Sequence, residues 1–174
     1  MCITLDIERD VFRMGKGIFA KSTLIKSADK IARVSEDSIK EYVDKTELLV
    51  AKMNASILKR DDIFELIGGE KNITMMKDNH NNHLRFVASI LQTPNSETLV
   101  DTTLWVFRAY MSRGFSTNYW NVQLETWRQL LKENISDKAF SEIISIYNWF
   151  TVNIPHFTVA AEEKLEKSKH IANN

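Results

Sequence analysis

The sequence predicts an all-α protein, a multi-helix bundle, on three observations. Apolar residues recur at spacings of three and four along most of the chain, the period of a helix with one buried face. No run of strict alternation bounded by turn residues competes with that period. Only 5 glycines and 2 prolines interrupt 174 residues, so connections are short and neighbouring helices should be antiparallel or sharply angled. A chain of this length can bury roughly two-thirds of its unfolded surface without disulfides, which fits a single domain over residues 1–174.

The elements follow in order. A first segment, Thr4 to Met14, ends at Gly15-Lys16-Gly17. A second spans Ile18 to about Val34, with Leu24, Ile25, Ala28, Ile31 and Ala32 on one stripe. Ser35 is placed to cap a third segment, with Glu36 and Asp37 favourable against the helix dipole. That third segment is expected to be long, from Glu36 to Leu66, with a narrow seam of Ile39, Tyr42, Val43, Leu49, Val50, Met53 and Ile57, and to stop at Gly68-Gly69. A fourth covers Asn72 to Gln92, and Thr93-Pro94-Asn95-Ser96 breaks it because proline disfavours helix at the preceding residue. A fifth, Glu97 to Arg113, is followed by Gly114 where a left-handed residue belongs, and Ser116 can cap a sixth, Thr117 to Glu133. Ser136-Asp137 starts a seventh, to about Asn153, and Pro155 begins or kinks a last helix.

Composition shifts along the chain. Residues 1–69 are charged and seam-like, which suggests a long N-terminal helical hairpin or arm. Residues 70–174 form an aromatic-rich body holding all 4 tryptophans. Rings concentrated on adjacent helices make either one thick core or the walls of a pocket. For a pocket, the candidate ligand-binding residues are His83, Phe86, Trp105, Arg108, Tyr110, Trp120 and Trp127. Arg85, Arg108, Arg113 or Arg128 could then pair with a carboxylate. The competing reading is a packed core edged by arginines whose stems lie along apolar surface.

His80 and His83 stand three apart and share a face if helical. They are candidate metal ligands, and one of them could serve as an axial haem ligand. Against this, Asn79, Asn81 and Asn82 are weak helix formers, so the cluster also reads as a polar first turn or loop. No cofactor is otherwise indicated.

The remaining chemistry is mostly excluded. Acidic and basic residues balance at 23 each, which removes the charge footprint of a nucleic-acid-binding domain. No apolar run is long enough to span a membrane. Cys2 is the lone cysteine, and acid precedes any hydrophobic stretch of secretory length, so a cytoplasmic location is expected. No Gly-x-Ser-x-Gly elbow or phosphate-binding loop occurs, so the expectation is a protein that is not an enzyme.

His83-Leu84-Arg85-Phe86, then Leu99-Val100 with Trp105-Val106, then Arg113-Gly114, resemble helical modules of bacterial sensory and regulatory proteins, some globin-like and some adjoining cobalamin-binding domains. The resemblance implies a ligand-sensing or partner-regulating role, with a globin-like arrangement as one form of the bundle. The leading expectation is a sensory or regulatory module binding a small ligand or a protein partner, with a partner or second copy docking on the 36–66 helix. The alternatives are a metal- or haem-binding protein using His80 and His83, and a structural oligomerisation domain.

Overall fold

The computed structural model describes residues 21–172, with side chains described as far as residue 163. The expected segment Thr4 to Met14 and Gly15-Lys16-Gly17 lie outside the described residues. Among those described there are eight α-helices, one 3-10 turn and no strand. The helices are α1 (Lys21–Ala28), α2 (Glu36–Asp44), α3 (Thr46–Leu58), α4 (Ile63–Ile67), α5 (Ile73–Gln92), α6 (Ser96–Met111), α7 (Thr117–Asn134) and α8 (Asp137–Ala172), with the 3-10 turn at Glu70–Asn72.

The long third segment is not one helix. It breaks at Lys45 (φ −92°, ψ −2°) and again between Leu58 and Ile63. At the first break Asp44 sits at the negative end of the α2 dipole, and the Thr46 hydroxyl donates to the Tyr42 carbonyl at 3.3 Å. Periodicity survives the break, which is why the sequence reads as continuous. The seam residues Ile39, Tyr42, Leu49, Met53 and Ile57 are buried, because α2 packs on α5 and α8 while α3 packs on α5 and α7. Most of the seam is thus satisfied within the fold, while Val43 stays 41% exposed. Two other boundaries differ: α1 ends at Ala28 rather than near Val34, and α8 continues through Pro155, whose missing N–H leaves the Thr151 carbonyl without its usual partner.

One continuous core runs from Leu24 on α1 to Ala161 on α8. Its axis is α8, whose stripe Ala139, Ile143, Ile146, Tyr147, Phe150, Ile154 and Phe157 is buried against α2, α6 and α7. The α2–α8 pair is held in antiparallel register by a reciprocal exchange. Ser35, the N-cap of α2, donates its N–H and hydroxyl to Glu142 Oε2 at 2.8 and 2.7 Å. Ser136, which caps α8 by accepting from the Ala139 N–H, donates its own N–H and hydroxyl to Glu41 at 2.6 and 2.7 Å. Each helix thus supplies the carboxylate that orients the other's first residue, and those bonds hold both carboxyls below their ordinary range. Deeper in the same interface the Tyr42 and Tyr147 hydroxyls pair at 2.7 Å.

A second fastening joins the turn after α4 to the turn after α6. Gly68 (φ 74°) and Gly114 (φ 97°) meet so closely that a Cβ on Gly68 would lie 2.5 Å from the Gly114 oxygen. The Ser116 N–H donates to the Leu66 carbonyl at 2.8 Å, and the Asn72 amide donates to Ile67 and Arg113 carbonyls, one from each turn. This brings the starts of α5 and α7 together. Gly68→Ala should therefore destabilise the fold by about 2 kcal/mol or more, combining left-handed strain with a backbone clash. Gly114→Ala carries the strain alone, since its Cβ would lie 3.5 Å from the nearest backbone atom. Urea denaturation followed by circular dichroism checks the order; equal losses would contradict the close approach.

Candidate functional site

The buried stripe of α5 is unusual in its chemistry. Met76, Asn79, His80, His83, Leu84 and Val87 fall at helical spacing, yet three of the six are polar. The helix forms despite its asparagines because its face is held by tertiary contacts on α2 and α3. The histidine cluster accordingly lies within the helix and not in a loop.

His80 is fully buried and both ring nitrogens are engaged. Nδ1 lies 2.7 Å from Asn54 Oδ1 on α3, and Nε2 lies 3.1 Å from the Tyr119 hydroxyl on α7. The amide oxygen can only accept, so the proton sits on Nδ1, and Nε2 accepts from tyrosine. Burial, with a smaller contribution from the neighbouring His83, lowers the His80 pKa to about 3. His80 is thus a neutral clip joining α3, α5 and α7. A metal held by His80 and His83 would require one of these bonds to break, and among the described residues no three His, Cys, Asp or Glu side chains converge.

His83 points to a different environment. Its ring stacks on Trp127 (centroids 5.7 Å apart, planes 8° apart), makes an edge contact with Tyr147 and meets Phe150 at a tilt. Its Nε2 is buried without a hydrogen-bond partner, and burial lowers its pKa to about 4. Although the residue keeps some exposed surface, the nitrogen itself is removed from solvent.

Beside His83 opens a cleft of about 270 Å³ between α5, α6, α7 and Phe150 of α8. Its walls are largely aromatic: Phe86, Trp105, Phe107, Tyr110, Trp120 and Phe150. Phe107 and Trp120 stack on each other at 4.2 Å, and Trp105 stands at the mouth, 61% exposed. The volume lies just below the roughly 300 Å³ at which drug-sized sites begin, so a ligand of one or two rings would fit.

The polar atoms of the wall set this cleft apart. Among the described residues, seven buried side-chain polar atoms have no hydrogen-bond partner, and four of them, Asn79 Nδ2, His83 Nε2, Trp120 Nε1 and Gln123 Nε2, belong to residues that line the cleft. Such groups cost roughly 1–3 kcal/mol each when left unpaired. Two other hollows, one between α1 and α6 and one beside α2, contain none of the orphaned atoms.

Of the residues the sequence singled out, His83, Phe86, Trp105, Tyr110 and Trp120 line the cleft. Trp127 does not; it is fully buried behind His83, between the two histidines. Arg108 is also absent from the wall, as are Arg85, Arg113 and Arg128. Arg128 instead bonds Asn148 and approaches Glu125 at 3.9 Å. Sequence reasoning missed Asn79, Gln123, Thr103, Phe107 and Phe150. For Gln123 a signal existed: it falls on the apolar stripe of Trp120, Leu124 and Trp127, where a polar residue needs a reason.

The two histidines make stability depend on pH with a definite sign. Their folded pKa values lie below the unfolded 6.5, so the unfolded chain binds more protons between those values. Stability is complete above about pH 6.5 and falls as pH drops toward 4, by about 3 kcal/mol for His83 alone. Glu41 and Glu142 add their loss only below their unfolded value of 4.5. The melting temperature should therefore fall between pH 7 and pH 5, and His83→Phe should flatten that part of the curve. A wild-type profile level from pH 7 to pH 5 would contradict the buried neutral imidazoles.

The chain matches no family model, no curated protein and no solved structure, so its reading rests on the chemistry of the cleft.

Proposed function

We propose that this chain is a non-enzymatic, cytosolic sensory or regulatory module that binds a small molecule in the cleft between α5, α6, α7 and α8. The observation that carries the reading is that four unpartnered buried polar atoms belong to residues lining one aromatic cleft. Proteins keep buried polar groups bonded in most cases, and a cluster of exceptions in one cavity marks where a ligand would complete them. The groups concerned are two amides, an indole and an imidazole, which suit recognition better than group transfer.

Occupancy has a route outward. Asn79 and His83 flank His80, whose two bonds tie α5 to Asn54 on α3 and Tyr119 on α7. A ligand that repositions this stretch of α5 shifts the balance between arrangements of α3, by as much as it binds one arrangement more tightly. No described helix is long and apolar enough to cross a membrane.

The test is a fragment screen followed by nitrogen-15 NMR. Hits should perturb the indole resonances of Trp120 and Trp105. Gln123→Leu should raise the melting temperature of the empty protein by roughly 2–4 °C, the equivalent of about 1 kcal/mol, while weakening every hit. Hits scattered over the surface, or a Gln123→Leu protein that is less stable and binds equally well, would refute the reading.

A further inference from the structure

The identity of the cleft's ligand can be narrowed by charge and shape, an inference that rests on the cleft being a ligand site. We propose that the ligand is an uncharged, planar ring compound bearing carbonyl-type hydrogen-bond acceptors.

No Lys, Arg, Asp or Glu lines the cleft. An anion entering it would leave water with no cation to meet it, which is costly in an apolar cavity. His83 is the one group there that could become a cation, and it stays neutral at physiological pH because burial penalises its charged form. Burial, with Asp78 adding to it, raises the pKa of the Tyr110 hydroxyl, so the nearby charge that acts on this lining residue is negative. An organic cation fares no better, since the unpartnered atoms are mainly donors. The Trp120 indole offers only N–H, and the Asn79 and Gln123 amide nitrogens offer N–H as well. They call for acceptors without a full charge, such as ketone or lactam oxygens.

Planarity follows from the walls. Phe107 and Trp120 form a stacked pair with a 20° interplanar angle, Phe86 and Phe150 add rings from α5 and α8, and Trp105 leaves a large ring exposed. Rings prefer offset or edge contacts with other rings, so a flat aromatic guest uses this surface best.

Three probes of nearly one shape separate the possibilities: 2-acetonaphthone, 2-naphthoate and 2-isopropylnaphthalene. They differ in a neutral acceptor, a charged acceptor and no acceptor. Titration by calorimetry, with the Trp120 indole N–H followed by NMR, should rank the ketone about tenfold above the hydrocarbon. The carboxylate should be weakest, and only the ketone should shift the indole proton downfield. Gln123→Leu, checked for folding by circular dichroism, should erase most of the ketone's advantage. Tighter binding of the carboxylate, or equal binding of ketone and hydrocarbon, overturns this inference and leaves the cleft as a ligand site. Failure of all three to bind at about 1 mM overturns both.

Discussion

Three polar side chains on the buried face of α5 impose the constraint from which the rest of this molecule follows. Asn79, His80 and His83 occupy positions where an apolar stripe would ordinarily continue, and the core has to accommodate them uncharged. For His80 the solution is complete: one nitrogen donates to α3 and the other accepts from α7, so a residue that could have disrupted the core instead sets the spacing of three helices. For Asn79 and His83 it is incomplete, and both residues line the cleft. A sequence optimised only for stability would place leucine at these positions.

The other polar fastenings lie at the periphery and set the frame around that face. The Ser35–Glu142 and Ser136–Glu41 exchange fixes the register of α2 on α8, and the register in turn places Tyr147 against Tyr42 and its ring edge on His83. The contact of Gly68 with Gly114, bridged by Asn72, fixes where α5 and α7 begin. Together these bring Asn79, His83, Trp120 and Gln123 to the lining of one cleft. Position along the helix is set by caps and turns, and the face presented is set by the core stripe.

Much of this was legible in the sequence, and the failures have physical causes. The segments expected at residues 72–92, 97–113 and 117–133 match α5, α6 and α7 closely, because Pro94, Asn95, Gly114 and Ser116 give unambiguous ends. The all-helical class followed from the same period. The continuous helix over residues 36–66 failed because the break at one residue, Lys45, leaves the three-and-four spacing nearly intact, and the second break, between Leu58 and Ile63, contains no glycine or proline to mark it. Aromatic clustering located the cleft but could not tell wall from core, so Trp105 and Trp120 line it while Trp127 lies behind it. Arginine at the edge of an aromatic helix gave no information about direction, and Arg108 stays off the wall. The amides of Asn79 and Gln123 were legible in principle, as polar residues on apolar stripes, once the period of each helix was followed through them.

The central claim is that both histidines of α5 are held neutral inside the core, His80 with its proton on Nδ1. Nitrogen-15 NMR of histidine-labelled protein, titrated from pH 8 downward while the fold persists, measures this directly. The account predicts two imidazoles that remain neutral through pH 5, one showing the Nδ1–H tautomer bonded on both sides. Protonation of either ring near pH 6.5, or an Nε2–H tautomer at His80, would contradict it.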